Sequence, residues 1–382
     1  MTVYTVYFSF ILFVILLVIV NSYFLISLKI EKQKNDKIAK KKIEIKESLK
    51  EIFAKDTKNK ETEIEGLKSL FDSKVDIEAF YLAVKEYKGE VKNKQEFIDV
   101  LEEVVDIDKI FKSGVVRKEY KRSYTLHLIS DFEIGNKKAG DFAIESLDKD
   151  SVFIRNNALK VLNKNEDISY LIRALEKIND KKCFFNEKMI IDFLDEFNGE
   201  QKELRKVLHS NIRSYKTPLR KIIVSHFTNI KDGSEETREL ILKIMDQCPE
   251  KEMIIAGLRY FSEVIDNRAK PYILDMMAHK DWAIRATSAR AIYKYPDNIV
   301  KEKLKEGLKD VNYYVRYNSA SSFLKLESKE RVIEEAFENE DRFARDIILY
   351  TMNKEGMLSL EEYENLSEKI TTYKDREGGV LI

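Results

Sequence analysis

Hydrophobic and polar positions along this chain fall into three successive patterns. Residues 3–28 form a run of 26 without a charged side chain, and Phe8 to Val20 is apolar apart from Ser9. As a helix rising about 1.5 Å per residue this run spans ~39 Å, enough to cross a ~30 Å hydrocarbon core with room for tilt. Tyr4, Tyr7 and Tyr23 stand near its ends, where amphipathic rings favour the membrane interface. The pattern predicts a single transmembrane helix over 3–28. A cleaved signal would want a basic start and a small-residue exit, and Asn21-Ser22-Tyr23-Phe24 is not one, so the helix is expected to stay as an anchor.

The second pattern is charged. Lys29, Lys32, Lys34, Lys37, Lys40, Lys41 and Lys42 follow the apolar run at once, and no Lys or Arg precedes it. By the positive-inside rule these lysines fix the topology, with the N-terminus outside and the rest in the cytoplasm, and they are expected to face lipid headgroups. Residues 29–60 read as a solvated helical connector leaving the membrane. The alternative is self-association through the stripe Ile38, Ile45, Leu49 and Ile52.

The third pattern is helical throughout. Ile77, Phe80, Tyr81 and Val84 share one face, as do Phe97, Val100, Leu101 and Val104, which makes 61–114 a helical capping region. From 115 to 370 the apolar faces recur. Asp281-Trp282-Ala283-Ile284-Arg285-Ala286-Thr287-Ser288-Ala289 and Tyr313-Tyr314-Val315-Arg316-Tyr317-Asn318-Ser319-Ala320 both read aliphatic-Arg-x-x-Ser-Ala, and Phe153-Ile154-Arg155-Asn156-Asn157-Ala158 is a third copy. Steps of about 32 residues connect Arg122, Arg155, Lys188, Arg220, Met253, Arg285, Arg316 and Arg345, each at the start of an apolar helical stretch. A second helix lies between landings, as in Tyr272-Ile273-Leu274-Asp275-Met276-Met277. The unit is a helix pair, and stacked pairs bury faces that no single pair can bury. Residues 371–382 read as a flexible tail.

Asp281 before Ile284-Arg285, Asp310 before Val315-Arg316 and Asp150 before Ile154-Arg155 give the chain a resemblance to the HEAT-repeat family in its short, roughly 30-residue form. The resemblance implies an all-α fold, an alpha-alpha superhelix or HEAT-like solenoid, behind the transmembrane helix. It also implies a ladder between neighbouring repeats built from Asp150, Arg155, Arg220, Asp281, Arg285, Asp310 and Arg316. The spacing carries the likeness alone between 185 and 260, where Lys188 replaces the Arg and Met253 has no counterpart.

Composition sharpens this picture. Four prolines and twelve glycines in 382 residues leave little to break helices, and Pro218, Pro249 and Pro271 each open an apolar segment. The formal charge of zero conceals nine lysines against four acids in 29–50, which leaves 58 basic and 63 acidic side chains in 51–382. A mildly acidic body argues against nucleic acid as a partner. Cys183 and Cys248, with no CxxC spacing, fit thiols in a reducing compartment.

Candidate chemistry is sparse. His127, His209, His226 and His279 are scattered without HExxH spacing, and no phosphate loop or nucleophile elbow occurs, so no catalytic residue, metal or cofactor is expected. Glu102-Glu103 and Glu334-Glu335 read as solvated faces. Trp282 is expected to pack between helix pairs. Tyr313, Tyr314 and Tyr317 cannot all share one narrow stripe, so at least one reaches the surface, and with Trp282 they are the candidate partner-binding residues. The expected function is a membrane-anchored cytoplasmic scaffold for an unidentified protein partner. The alternatives are an accessory subunit of a membrane enzyme in envelope polysaccharide synthesis or transport, and a HEAT-like lyase or nucleic-acid enzyme.

Overall fold

The computed structural model describes residues 3–54, 60–112, 118–180 and 185–378. Among them no strand occurs, and 80% of the described residues are helical. They fall into two compact units, residues 1–185 with 196–201 and residues 186–195 with 202–382.

The first unit holds α1 (Val3–Ile52), α2 (Lys60–Lys68), α3 (Lys74–Tyr87), α4 (Lys94–Val104), α5 (Ile107–Lys112), α6 (Lys118–Asp131), α7 (Lys137–Ser146), α8 (Val152–Leu162) and α9 (Ile168–Asp180). Helix α1 contains neither glycine nor proline, and its 50 residues run without a break. Its two halves differ. Large apolar side chains from Tyr7 to Ile30 are exposed, while Ile38, Ile45, Leu49 and Ile52 are buried. It is the one helix among the described residues long and apolar enough to cross a membrane.

The buried half of α1 lies along α3, whose Ile77, Phe80, Ala83 and Val84 are buried in turn. This corrects the solvated connector: the stripe does not face water, because its apolar partner is supplied some 35 residues further along the same chain. The lysine reading changes with it. Lys34 pairs with Glu78 at 2.7 Å, Lys41 with Asp76, and Lys42 with Glu86 at 2.7 Å. Those three face α3 rather than lipid, and Lys29, Lys32, Lys37 and Lys40 stay exposed. The second half of α1 therefore packs with the helices that follow residue 60.

The second unit holds α10 (Glu187–Asp195), α11 (Gln201–Asn211, from Lys202 on), α12 (Thr217–Asn229), α13 (Glu235–Gln247), α14 (Lys251–Glu263), α15 (Lys270–Met276), α16 (Trp282–Ile292), α17 (Asn298–Gly307), α18 (Tyr313–Leu324), α19 (Lys329–Glu338), α20 (Arg342–Lys354) and α21 (Leu360–Gly378). Even-numbered helices stack in series, α10 on α12, then α14, α16, α18 and α20, and α13, α15, α17 and α19 each pack on the helix that follows. Asp281, Asp297, Asn312, Ser328 and Asp341 cap their helices by accepting a hydrogen bond from a first-turn N–H, which satisfies donors the helix cannot. Helix α21 reaches Gly378 and buries Ile370, so the expected flexible tail is helical as far as it is described.

Candidate functional site

The aliphatic-Arg-x-x-Ser-Ala signature works at the join between stacked helices. Ile284 and Val315 fill the core, and Ser288, Ser319, Ala289 and Ala320 are buried small residues that let α16 and α18 approach their neighbours. The closeness is tight enough that a Cβ on Gly307 of α17 would lie 2.2 Å from the Ser319 Oγ.

The arginines split into two kinds. Arg285 donates to both carboxylate oxygens of Asp310, at 2.7 and 2.9 Å, linking α16 to the turn before α18. Burial alone would raise the Asp310 carboxyl, but the Arg285 guanidinium and the Asn312 N–H hold it below its ordinary value. Arg285 also donates to the turn carbonyls of His279 and Lys280, at 2.8 and 3.1 Å, whereas Arg155 and Arg316 have turn carbonyls without the acid, Arg155 those of Lys149 and Asp150 at 2.7 Å and Arg316 that of Asp310 at 2.8 Å. Arg220 does the same with Tyr215 and Arg213. Asp281 caps α16 and pairs with Lys251 of α14 at 2.8 Å.

Other links between stacked helices escaped the sequence reading. Tyr260 donates to the Asp232 carbonyl at 2.5 Å and Tyr295 to that of Phe261 at 2.7 Å. Asn318 donates to the Ala286 carbonyl at 2.9 Å, and Asn157 to the Ser123 hydroxyl at 3.2 Å. The available signal was Arg-x-Asn, present in both Arg155-Asn156-Asn157 and Arg316-Tyr317-Asn318.

The four candidate partner-binding residues are brought together. Trp282 stacks on Tyr314 with centroids 5.4 Å apart at 24°, Tyr314 meets Tyr313 edge-on at 5.5 Å, and Tyr313 stacks on Tyr317 at 6.2 Å. Trp282 is 44% exposed, so it lies at the surface rather than packed away between helix pairs, because the small residues of α16 and α18 leave the large ring no deep slot. Tyr313 and Tyr314 are exposed as well. Partial desolvation and a hydrogen bond with Tyr350 raise the Tyr313 hydroxyl above its ordinary pKa. The Lys354 ammonium stands 4.6 Å from the Tyr317 ring centre.

Beside this aromatic strip runs a groove of about 590 Å³ along α14, α16 and α18, with Trp282 and Tyr314 at one part of its wall and Arg259, Arg290 and Lys325 at another. A second groove, of about 840 Å³, lies between α18, α20 and α21, lined by Tyr313, Arg316, Phe343 and Tyr350.

The histidines sit apart from both. His226 is buried and meets Asp195 at 2.5 Å, and burial pushes it below the ordinary histidine pKa against the pull of that carboxylate. His209 meets the Thr237 hydroxyl at 2.8 Å, which donates to Asp232 at 2.7 Å. Thr237 is fully buried, so this His-Thr-Asp set ties α11 to α13 rather than opening onto a cavity. No group of three metal-ligating side chains occurs among the described residues. Cys248 is a free thiol beside Arg220, and Cys183 lies outside the described residues.

No protein-family model and no characterised protein matches this sequence.

Proposed function

We propose that the protein is a non-catalytic scaffold in which a HEAT-like solenoid is held at the cytoplasmic face of a membrane by a single N-terminal helix, and that it binds another protein. The observation that carries this is the change of character along α1: every large apolar side chain from Tyr7 to Ile30 is exposed, and the core begins at Ile38 in the same unbroken helix. A run of that size in water would drive aggregation, and a lipid core covers it. Ile38 stands ten positions after Leu28, so the packed part begins roughly 15 Å beyond the apolar span with no flexible joint. Such an anchor fixes height above the bilayer as well as location.

The series of stacked helices supports the solenoid, since pairs repeated in one direction make an extended surface suited to a protein partner. The exposed lysines on the C-terminal side of the apolar run support the cytoplasmic orientation. Membrane fractionation and labelling of single cysteines placed near each end of the chain, with an impermeant reagent, tests the proposal. The expected result is an integral protein labelled at residue 2 and protected at residue 380 in intact cells. Labelling at 380 overturns the orientation, and release by carbonate overturns the anchor.

A further inference from the structure

Individual helices of the second unit differ in charge. Helices α12, α16 and α18 carry Arg220, Lys221, Arg285, Arg290 and Arg316 and no acidic residue. Helices α13 and α19 carry eight acidic residues against Arg238, Lys243, Lys329 and Arg331. A formal charge of zero over the whole chain thus hides three helices without an acidic residue and two that are net acidic.

Stacking sets two of the basic helices, α16 and α18, in series with the charge-balanced α14, and a groove runs along the three. Arg259 and Arg290 are exposed there and make no ion pair among the described residues. Lys294 and Lys325 approach the Tyr293 ring, at 5.1 and 4.6 Å, and not a carboxylate. The one carboxylate lining the groove, Glu263, is engaged by Lys231 at 3.1 Å. Ala283, Ala286 and Thr287 line it with small side chains, and the Trp282–Tyr314 stack gives the same groove an aromatic platform.

We infer that this groove binds an acidic, extended segment of a partner protein, one in which an aromatic side chain stands among carboxylates. The inference rests on the scaffold reading and names the chemistry of its partner. Guanidinium groups pair with carboxylates through two parallel hydrogen bonds, so Arg259 and Arg290 supply direction as well as charge. The aromatic platform stacks on a ring, a contact enriched where one protein anchors another. Nucleic acid is the poorer fit. The cations form one cluster and not a long track, and residues 51–382 as a whole hold more acid than base, so a long polyanion gains little beyond the cluster.

Trp282 is the chain's single tryptophan, so its fluorescence reports on the groove directly. The test uses the full chain in micelles of an uncharged detergent, titrated with a tryptophan-free peptide of about twelve residues alternating Glu and Phe. A Lys/Phe counterpart and a single-stranded oligothymidine of similar length are the controls. The acidic peptide is expected to change Trp282 emission saturably and more weakly as salt rises. The double variant R259E/R290E, at two exposed positions, is expected to weaken binding about tenfold or more with an unchanged helical spectrum and unfolding midpoint. Equal affinity for the Lys/Phe peptide, unchanged affinity in R259E/R290E, or tighter binding of the oligothymidine overturns the inference. Proximity labelling from the C-terminus in native membranes separates this failure from failure of the scaffold. An identical set of cytoplasmic proteins labelled by wild type and by R259E/R290E removes the groove and keeps the scaffold, whereas labelling of extracytoplasmic proteins alone removes both.

Discussion

In the first unit, Lys34, Lys41, Lys42 and Lys46 of α1 all reach acids on or just after α3, namely Glu78, Asp76, Glu86 and Glu90. In the second, Arg259 and Arg290 stand exposed and make no ion pair among the described residues. The lysines and Arg290 belong to helices rich in cations, Arg259 to one in which acids and bases balance, and packing separates the two sets. The stripe Ile38, Ile45, Leu49 and Ile52 docks α1 on an acidic helix, which uses up the lysines. The small residues of α16 and α18 dock basic helices against one another, which leaves their outward cations unmatched. The role of a surface charge is thus decided by what the apolar contact beneath it brings alongside.

The most severe way to break this comparison is to undo the docking of α1. Leu49 is fully buried, and Leu49→Ala is expected to destabilise the fold by about 2–5 kcal/mol, combining lost transfer energy with an unfilled cavity. The same change at Leu16, in the exposed half of the same helix, is expected to leave the unfolding midpoint of the body where it was. Urea titration followed by circular dichroism in detergent measures both. Equal effects would mean that α1 does not change character near Ile38.

Arg285 offers the next contrast, because it is a cation of the basic helices that does have an acid opposite. Arg285→Ala strands a largely buried Asp310 carboxylate and is expected to cost about 2–3 kcal/mol, whereas Arg290→Ala is expected to stay within about 0.5 kcal/mol of wild type. The pair should also respond to acid. The Asp310 carboxyl is held below its ordinary value of 3.8, so its contribution is complete above that pH and is lost as pH falls through the lower folded value. In R285A the acid limb of the stability curve should flatten. A curve parallel to that of wild type would show that Asp310 is not held by Arg285.

Two glycines test how closely helices approach in each unit. A Cβ at Gly307 meets Ser319, and G307A is expected to cost about 1–3 kcal/mol through overpacking. A Cβ at Gly66 of α2 meets nothing within 4 Å, so G66A is expected to gain about 0.5–1 kcal/mol from lower backbone entropy in the unfolded chain. Thermal midpoints moving in opposite directions are the expected readout.

Much of this was legible before any coordinates. The scarcity of proline and glycine, with apolar residues at helical spacing, pointed to helices throughout, and the aliphatic-Arg pairs Ile154-Arg155, Ile284-Arg285 and Val315-Arg316 fall in the first turns of α8, α16 and α18. Trp282, expected to be packed away, and Tyr313, Tyr314 and Tyr317, at least one of them expected at the surface, come from two separate segments, and stacking makes them one strip. The partner of the Ile38 stripe was not legible, since a stripe shows that something must cover it and not what does. Tyr260 and Tyr295 carry no mark that their hydroxyls reach back about 30 residues to a carbonyl. The cationic groove was hidden by net charge, which averages over helices that stacking later separates.

The smallest expected effect closes the comparison from the side of the lysines. Lys34 and Glu78 are each about 40% exposed at the side chain, and exposed pairs contribute at most about 1 kcal/mol because water screens the attraction and two long chains lose freedom. K34Q is therefore expected to shift the urea midpoint barely, and less still at high salt. If α1 is instead held to α3 chiefly by its charges, K34Q combined with K42Q would lower the midpoint markedly at low salt and added salt would mimic the substitutions. A salt-insensitive midpoint in wild type places the docking energy in the apolar stripe. The lysines would then act mainly to select the register in which that stripe meets α3.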